Sequence, residues 1–257
     1  MAFTGGGGKT TAMYYLARKL CAEGHRVIVT TTTHMQYPLK KWGPLCTSAA
    51  AAAIRLDRAE GAVAVCGIDA GMTDGIRKIT GMPAGELDRC RTLCSYMLVE
   101  ADGAKMKPLK APQKGEPVIP SGTDVIVVCG GLDAVGKNLA DVCFRQDIVV
   151  SILRRSGRRV PDGIHIITCA DTAEILYRGY VFPFLTDPAL SGTKLYVLLN
   201  KADDEGRLAD GKSVLTAMKI LIDGDAVCAR GAVLCGFYIT SFLNGGSFFY
   251  EQYTYSR

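Results

Sequence analysis

Gly5-Gly6-Gly7-Gly8-Lys9-Thr10-Thr11 is the stretch that decides the fold. Four consecutive glycines leave the backbone without Cβ atoms, so successive N–H groups can turn toward an anion. Lys9 offers a cation to the outer phosphates of a nucleotide, and Thr10 a hydroxyl to a bound Mg²⁺. From Thr11 the sequence Thr-Ala-Met-Tyr-Tyr-Leu-Ala-Arg-Lys-Leu-Cys-Ala-Glu predicts a helix that Gly24 ends, with its positive dipole end at the same anion. Gly5 to Thr11 therefore read as a phosphate-binding loop. The standard pattern has a further glycine five residues before Gly8, where this chain has Phe3. Only Met1 to Thr4 precede the glycines, so the buried strand expected there is short or missing.

Working outward, the next stretches repeat one theme, an apolar strand that ends in polar residues. Arg26-Val-Ile-Val-Thr-Thr-Thr-Thr33 is β-branched and finishes on threonines. Strand ends of this kind gather at the carboxyl edge of a parallel sheet, where ligands of open α/β folds bind. Thr30 to Thr33 are either phosphate or metal-water contacts or simply good strand formers. Tyr96-Met-Leu-Val-Glu-Ala-Asp-Gly103 ends in two carboxylates, Glu100 and Asp102, on one face if the strand runs that far. With Lys9 and Thr10, Asp102 reads as a metal carboxylate and Glu100 as a group that orients water. Lys194 to Leu199 is a third strand, followed by Asn200-Lys-Ala-Asp203. That order is how GTP-binding proteins read guanine: Asp203 accepts from the base and the Lys201 stem lies along it. No downstream Ser-Ala-Lys segment completes the site, so ATP and GTP both stay open.

Between these signals, helices are expected over 47–60, 86–94, 145–153, 171–180 and 210–222, and strands over 61–67, 124–129, 165–168 and 232–239. Residues 68–85, with four glycines, and 104–122, with four prolines, read as irregular excursions near the site. Lys105, Lys107 and Lys110 could reach an anion or belong to a solvated loop. Gly130 to Lys137 reads as a loop at the active edge.

Composition sets the bounds. The 257 residues are 48% hydrophobic and 21% charged, which fits one globular domain over 1–257. The net charge of +5 suits an anionic small ligand and does not argue for nucleic acid. Ten cysteines with no Cys-x-x-Cys pair support neither a zinc nor an iron–sulfur site. Cys66, Cys129 and Cys235 lie in apolar runs and read as buried small hydrophobes. With no signal peptide and no apolar run of membrane length, a cytoplasmic protein is expected.

Taken in order, Gly-Gly-Lys-Thr-Thr, Val29-Thr-Thr-Thr-Thr33, Glu100-Ala-Asp-Gly103, Pro108-Leu-Lys-Ala-Pro112, Glu116-Pro-Val-Ile-Pro120, Gly131-Leu-Asp-Ala134 and Leu199-Asn-Lys-Ala-Asp203 resemble the selenium-dependent hydroxylase accessory proteins, the YqeC family. The resemblance implies a cytoplasmic P-loop protein that assists maturation of selenium-dependent molybdenum hydroxylases or their cofactor. It also implies that the outermost glycine is dispensable. One departure is Cys143-Phe144 before Arg145, where the family commonly has a histidine, so no proton-transfer role transfers there. The expected fold is a three-layer, P-loop NTPase-like α/β domain with a mostly parallel sheet and an antiparallel C-terminal edge. The expected activity is Mg²⁺-dependent binding and hydrolysis of ATP or GTP, through Gly5, Gly6, Gly7, Gly8, Lys9, Thr10, Thr11, Glu100, Asp102, Asn200, Lys201 and Asp203. Phosphoryl transfer to a small acceptor, or a non-catalytic carrier with a weakened nucleotide site, are the alternatives.

Overall fold

A computed structural model describes residues 1–225, 230–243 and 247–253. Of the aromatic run Phe248 to Tyr255, Thr254 and Tyr255 lie outside the described residues. The chain divides into two compact units. The first holds Met1–Phe3, Lys9–Gly103 and Pro117–Gly122, and the second Thr4–Gly8, Ala104–Glu116 and the chain from Thr123. The glycines therefore count with one unit, and Lys9 and Thr10 with the other.

The first unit contains β1 (Ala2–Gly5, shared with the second), α1 (Lys9–Ala22), β2 (Arg26–Thr31), β3 (His34–Gln36), α2 (Ala49–Leu56), β4 (Ala62–Val65), β5 (Ile68–Thr73), β6 (Ile76–Thr80), α3 (Ala84–Arg91) and β7 (Tyr96–Glu100). Its main strands run in the order β4-β2-β7-β1, all parallel. The expected stub is thus a real strand of four residues. Ala2 stands opposite Val99 and Phe3 opposite Glu100, and the Met1 ammonium donates to Met97 O at 2.8 Å. Phe3 is buried, so the absent glycine is replaced by a strand residue that contributes a ring to the core. Under this sheet Ile28, Cys46, Ala52, Leu56, Ala64, Cys66, Met82 and Cys90 form one apolar cluster. Ser48 caps α2 by accepting from Ala51 N–H at 3.2 Å.

One irregular excursion is regular after all. β3, β6 and β5 form a three-stranded antiparallel sheet. Thr73 pairs with Ile76, so Asp74-Gly75 is a two-residue hairpin turn, with both φ angles positive (51° and 73°). Periodicity hid it, because all six residues of β5 are exposed and nothing forces alternation.

The second unit contains β8 (Leu109–Lys110), β9 (Val125–Gly131), α4 (Leu139–Val142), β10 (Cys143–Phe144), α5 (Gln146–Arg155), α6 (Cys169–Leu176), α7 (Phe182–Thr186), β11 (Lys194–Asn200), α8 (Glu205–Gly224), β12 (Val233–Ser241) and β13 (Ser247–Gln252). β9, β11 and β12 are parallel, and β13 joins β12 as the antiparallel edge. Both units therefore carry the mostly parallel α/β arrangement that the strand patterns predicted. The expected strand at 165–168 is reduced to a single bridge, Asn138 to Ile166. Cys66 and Cys129 are buried as read, whereas Cys235 is only half-buried.

The proline-rich run is pinned by one carboxylate. Glu116 binds Lys110 Nζ at 2.6 Å and accepts two bonds from Arg145. Burial alone would raise the Glu116 pKa, but Arg145 and Lys110 outweigh it and hold the carboxyl at about 2. A lowered carboxyl pKa stabilises the fold above the unfolded value near 4.5, and that contribution disappears as pH falls toward 2. Its size is about 3 kcal/mol. Glu116→Gln is expected to lower the melting temperature at pH 7 far more than at pH 3. An equal loss at both values would rule out the ion pair as the source.

Candidate phosphate and metal site

In the first unit α1 starts where β2 and β7 end. Thr31 stands opposite Glu100 in the parallel register, and the Thr31 hydroxyl donates to Glu100 O at 2.8 Å. Lys9 and Thr10, the first residues of α1, each meet a carboxylate from the end of β7. Lys9 Nζ lies 3.3 Å from Asp102 Oδ1, with the two side chains 4% and 0% exposed. The Thr10 hydroxyl donates to Glu100 Oε2 at 2.7 Å. The structure thus brings Lys9, Thr10, Glu100 and Asp102 together, but Thr10 pairs with Glu100 rather than with Asp102.

Thr31 and Thr32 are committed to backbone carbonyls of Glu100 and Val118, and Thr33 N–H donates to the Thr31 hydroxyl. They shape the strand end. The buried Thr30 hydroxyl has no hydrogen-bond partner among the described residues.

Sequence reasoning missed Tyr14. It lies one turn beyond Thr10 on α1 and stacks on Trp42 with centroids 4.6 Å apart. Burial first, and the Glu100 charge second, push its phenol well above the ordinary value. The i,i+4 spacing from Thr10 was the available signal.

In the second unit the glycines are packed against backbone. Gly6 N–H donates to Cys129 O at 3.0 Å and Gly7 N–H to Lys107 O at 3.2 Å. These two donors are engaged by Cys129 on β9 and by Lys107. In the first unit the first-turn N–H groups of α1, which begins at Lys9, have no intrahelical acceptor. Lys107 Nζ donates to Asp141 O and Lys110 to Glu116, so two of the three nearby lysines serve the fold. Lys105 is exposed and lies over the Phe144 ring.

Asn200 ends β11 in the second unit, and Lys201 and Asp203 follow it. Asn200 Nδ2 donates to Gly7 O at 3.0 Å, Lys201 Nζ reaches Asp133 Oδ2 at 2.7 Å, and Asp203 accepts from the Ser241 hydroxyl. Asn200 therefore braces the glycine loop. Asp133 comes from the stretch read as an active-edge loop, and Ser241 was not anticipated.

These features define an α/β protein with a glycine-lysine-threonine loop and carboxylates at the ends of parallel strands. The family model described as YqeC protein matches residues 1–147, more than half of the chain. The chain belongs to the YqeC family. It is 37% identical over 134 residues to the uncharacterized protein YqeC of Escherichia coli (strain K12), a match that covers 51% of this chain and 51% of that protein. The chain thus aligns with about half the length of this relative. No solved structure matches it.

The hydroxyl of Thr10 and the carboxylates of Glu100 and Asp102 are hard oxygen donors of the kind that Mg²⁺ takes. Among the described residues no cluster of three or more metal-binding side chains occurs. A magnesium ion held by one or two protein oxygens, with phosphates and water completing its shell, fits that donor set. No helix of the described residues is long and apolar enough to cross a membrane.

Proposed function

We propose that this protein binds ATP or GTP with Mg²⁺ and hydrolyses it, in the cytoplasm, in support of maturation of a selenium-dependent molybdenum hydroxylase or its cofactor. The observation that carries the nucleotide reading is the double pairing at the start of α1, Lys9 with Asp102 and Thr10 with Glu100. A cation and a hydroxyl at a helix N-terminus, each facing a strand-end carboxylate, is the donor set that a Mg-triphosphate needs. The maturation role rests on family membership alone.

On this reading the N–H groups from Gly8 to Thr11 and the helix dipole bind the phosphates, while Gly5, Gly6 and Gly7 keep the loop close to its supporting strands. Lys9 exchanges Asp102 for phosphoryl oxygens and stabilises charge as the terminal phosphoryl leaves. Thr10, with Glu100 or Asp102, would hold the ion, which supplies charge neutralisation to the phosphates. The other carboxylate orients the attacking water. Asn200 supports the loop from behind, and Lys201 and Asp203 contact the base.

Melting curves test this directly. A triphosphate at 100 times its dissociation constant adds about 2.7 kcal/mol of stability. For a chain of this size that corresponds to a rise of roughly 5–10 °C, seen only with Mg²⁺ present. No Mg²⁺-dependent shift with either ATP or GTP at millimolar concentration would refute the nucleotide reading and favour a carrier.

A further inference from the structure

Three cysteines from separate segments of the first unit meet in the apolar cluster under its sheet: Cys46 ahead of α2, Cys66 after β4 and Cys90 in α3. Cys46 and Cys66 face each other across a parallel bridge. Cys46 N–H donates to Val65 O at 2.9 Å, and Gly67 N–H donates to Cys46 O at 3.1 Å. Cys66 N–H donates to Val29 O at 2.9 Å, so β2 holds its backbone from the other side. Neighbouring strands lie about 4.8 Å apart, with paired side chains on one face. A disulfide spans Cα separations of about 4.4–6.8 Å. The register therefore puts this pair within reach of a disulfide.

The two thiols are not equivalent. The Cys66 thiol donates to the Cys46 sulfur, and that bond, opposed by burial and helped by the Arg55 guanidinium, lowers the Cys46 pKa to about 7. The same bond, together with burial, pushes Cys66 up. A thiol buried among apolar groups alone is inert, whereas a thiolate beside a cation is nucleophilic. Arg55 is fixed over β4 by donating from Nε to Val63 O at 3.3 Å. Cys46 is 3% exposed and Cys66 is fully buried, but Thr47 beside Cys46 is exposed. Such a position favours an oxidant of a few heavy atoms over a glutathione-sized disulfide. Cys90 competes for Cys66, whose thiol it also contacts. It lies on α3 with its sulfur 4.0 Å from Met82 Sδ, its own thiol is pushed up by burial, and no strand register aligns it with Cys66.

We propose that Cys46 and Cys66 form a peroxide-reactive dithiol, with Cys46 as the nucleophile and Cys66 as the resolving thiol. The oxidant is hydrogen peroxide or a small alkyl hydroperoxide. The Cys46 sulfur attacks one peroxide oxygen, so that an S–O bond forms and the O–O bond breaks. The departing hydroxide or alkoxide takes up the proton that Cys46 had given to solvent. The Cys66 sulfur then displaces the sulfenic oxygen, forming the S–S bond, and its proton leaves with that oxygen as water. Two thiols are oxidised by two electrons, and the peroxide is reduced to water and a second water or an alcohol. The bond ties the segment leading into α2 to the end of β4. The dithiol shares no residue with the nucleotide site, and its test reads sulfur chemistry alone.

The experiment treats the reduced, folded full chain with hydrogen peroxide, blocks the remaining thiols in denaturant and maps the tryptic peptides by mass. Arg55 separates Cys46 from Cys66, and Arg77 and Arg89 separate Cys66 from Cys90, so each falls on its own peptide. Wild type is expected to give a Cys46–Cys66 linked pair, lighter than the two reduced peptides by two hydrogens and released by dithiothreitol. The preference for this pair is expected to vanish when the chain is oxidised in urea. Cys66→Ala is expected to lose the link and to leave Cys46 as a sulfenic acid that dimedone captures. Cys90→Ala is expected to keep the link. Wild-type mapping needs no variant, so a misfolded mutant does not decide the question. No linked pair in excess peroxide, a Cys66–Cys90 pair in its place, or the same preference in urea overturns the proposal. Dimedone capture at Cys66 in Cys46→Ala, as strong as that at Cys46 in Cys66→Ala, overturns the division of roles.

Discussion

Lys9→Ala is expected to weaken Mg-triphosphate binding by at least about 100-fold, the effect of losing roughly 3 kcal/mol of charge-assisted hydrogen bonding to phosphate. The same substitution removes an ammonium 3.3 Å from the fully buried Asp102 carboxylate. Breaking one side of a buried ion pair costs about 3–5 kcal/mol of stability, because the remaining charge loses its partner. A loss of binding by the alanine variant alone is thus ambiguous between a missing ligand and a damaged fold. The combination of Lys9→Met with Asp102→Asn separates the two. It deletes both charges at similar volume, a change often neutral for stability, and its melting temperature is expected to return to within a few degrees of wild type. Nucleotide binding is expected to stay absent. If the double variant binds triphosphate as wild type does, Lys9 serves the fold and the phosphate assignment is wrong.

How much of this was legible in the chain depended on whether the signal was local. The main parallel strands announced themselves because a buried parallel strand is a continuous β-branched or apolar run, as in Arg26–Thr31 and Lys194–Asn200. β5 did not, since a strand exposed along its whole length carries no pattern. Its Asp74-Gly75 turn was the one readable mark. The gathering of Lys9, Thr10, Glu100 and Asp102 was predicted from residue types alone, but the pairing was not. Which carboxylate meets the hydroxyl depends on where β7 stops and how the chain bends after Glu100. Ser241 was invisible for a different reason. It reaches Asp203 through the β11–β12 register, a tertiary fact with no counterpart in sequence spacing. Likewise Asn200 looked like a base contact by motif, whereas its amide binds Gly7 O.

That bond belongs to a close approach that makes the glycines testable one at a time. Gly7 has φ 66°, and a Cβ there would lie 2.1 Å from Gly131 N and 2.4 Å from Gly131 Cα. Both obstacles are backbone of β9 and cannot rotate away. Gly136 has a similar φ of 79° but nothing within 4 Å of its would-be Cβ. Gly136→Ala therefore pays only for the left-handed conformation, about 1–2 kcal/mol. Gly7→Ala pays that cost and must also push the glycine loop off β9, for a total of about 4 kcal/mol or more. The expected result in urea unfolding is a midpoint well below that of Gly136→Ala, together with lost triphosphate binding in the Gly7 variant alone. Gly8 gives the intermediate case. Its Cβ would meet Asn200 Nδ2 at 2.2 Å, a side chain that can move, so Asn200→Ala is expected to recover part of the stability lost in Gly8→Ala. The same rescue is not expected for Gly7→Ala, because no side chain stands in its way. Equal destabilisation at Gly7 and Gly136 would mean that the loop does not lie against β9, and the bracing role of Asn200 would go with it.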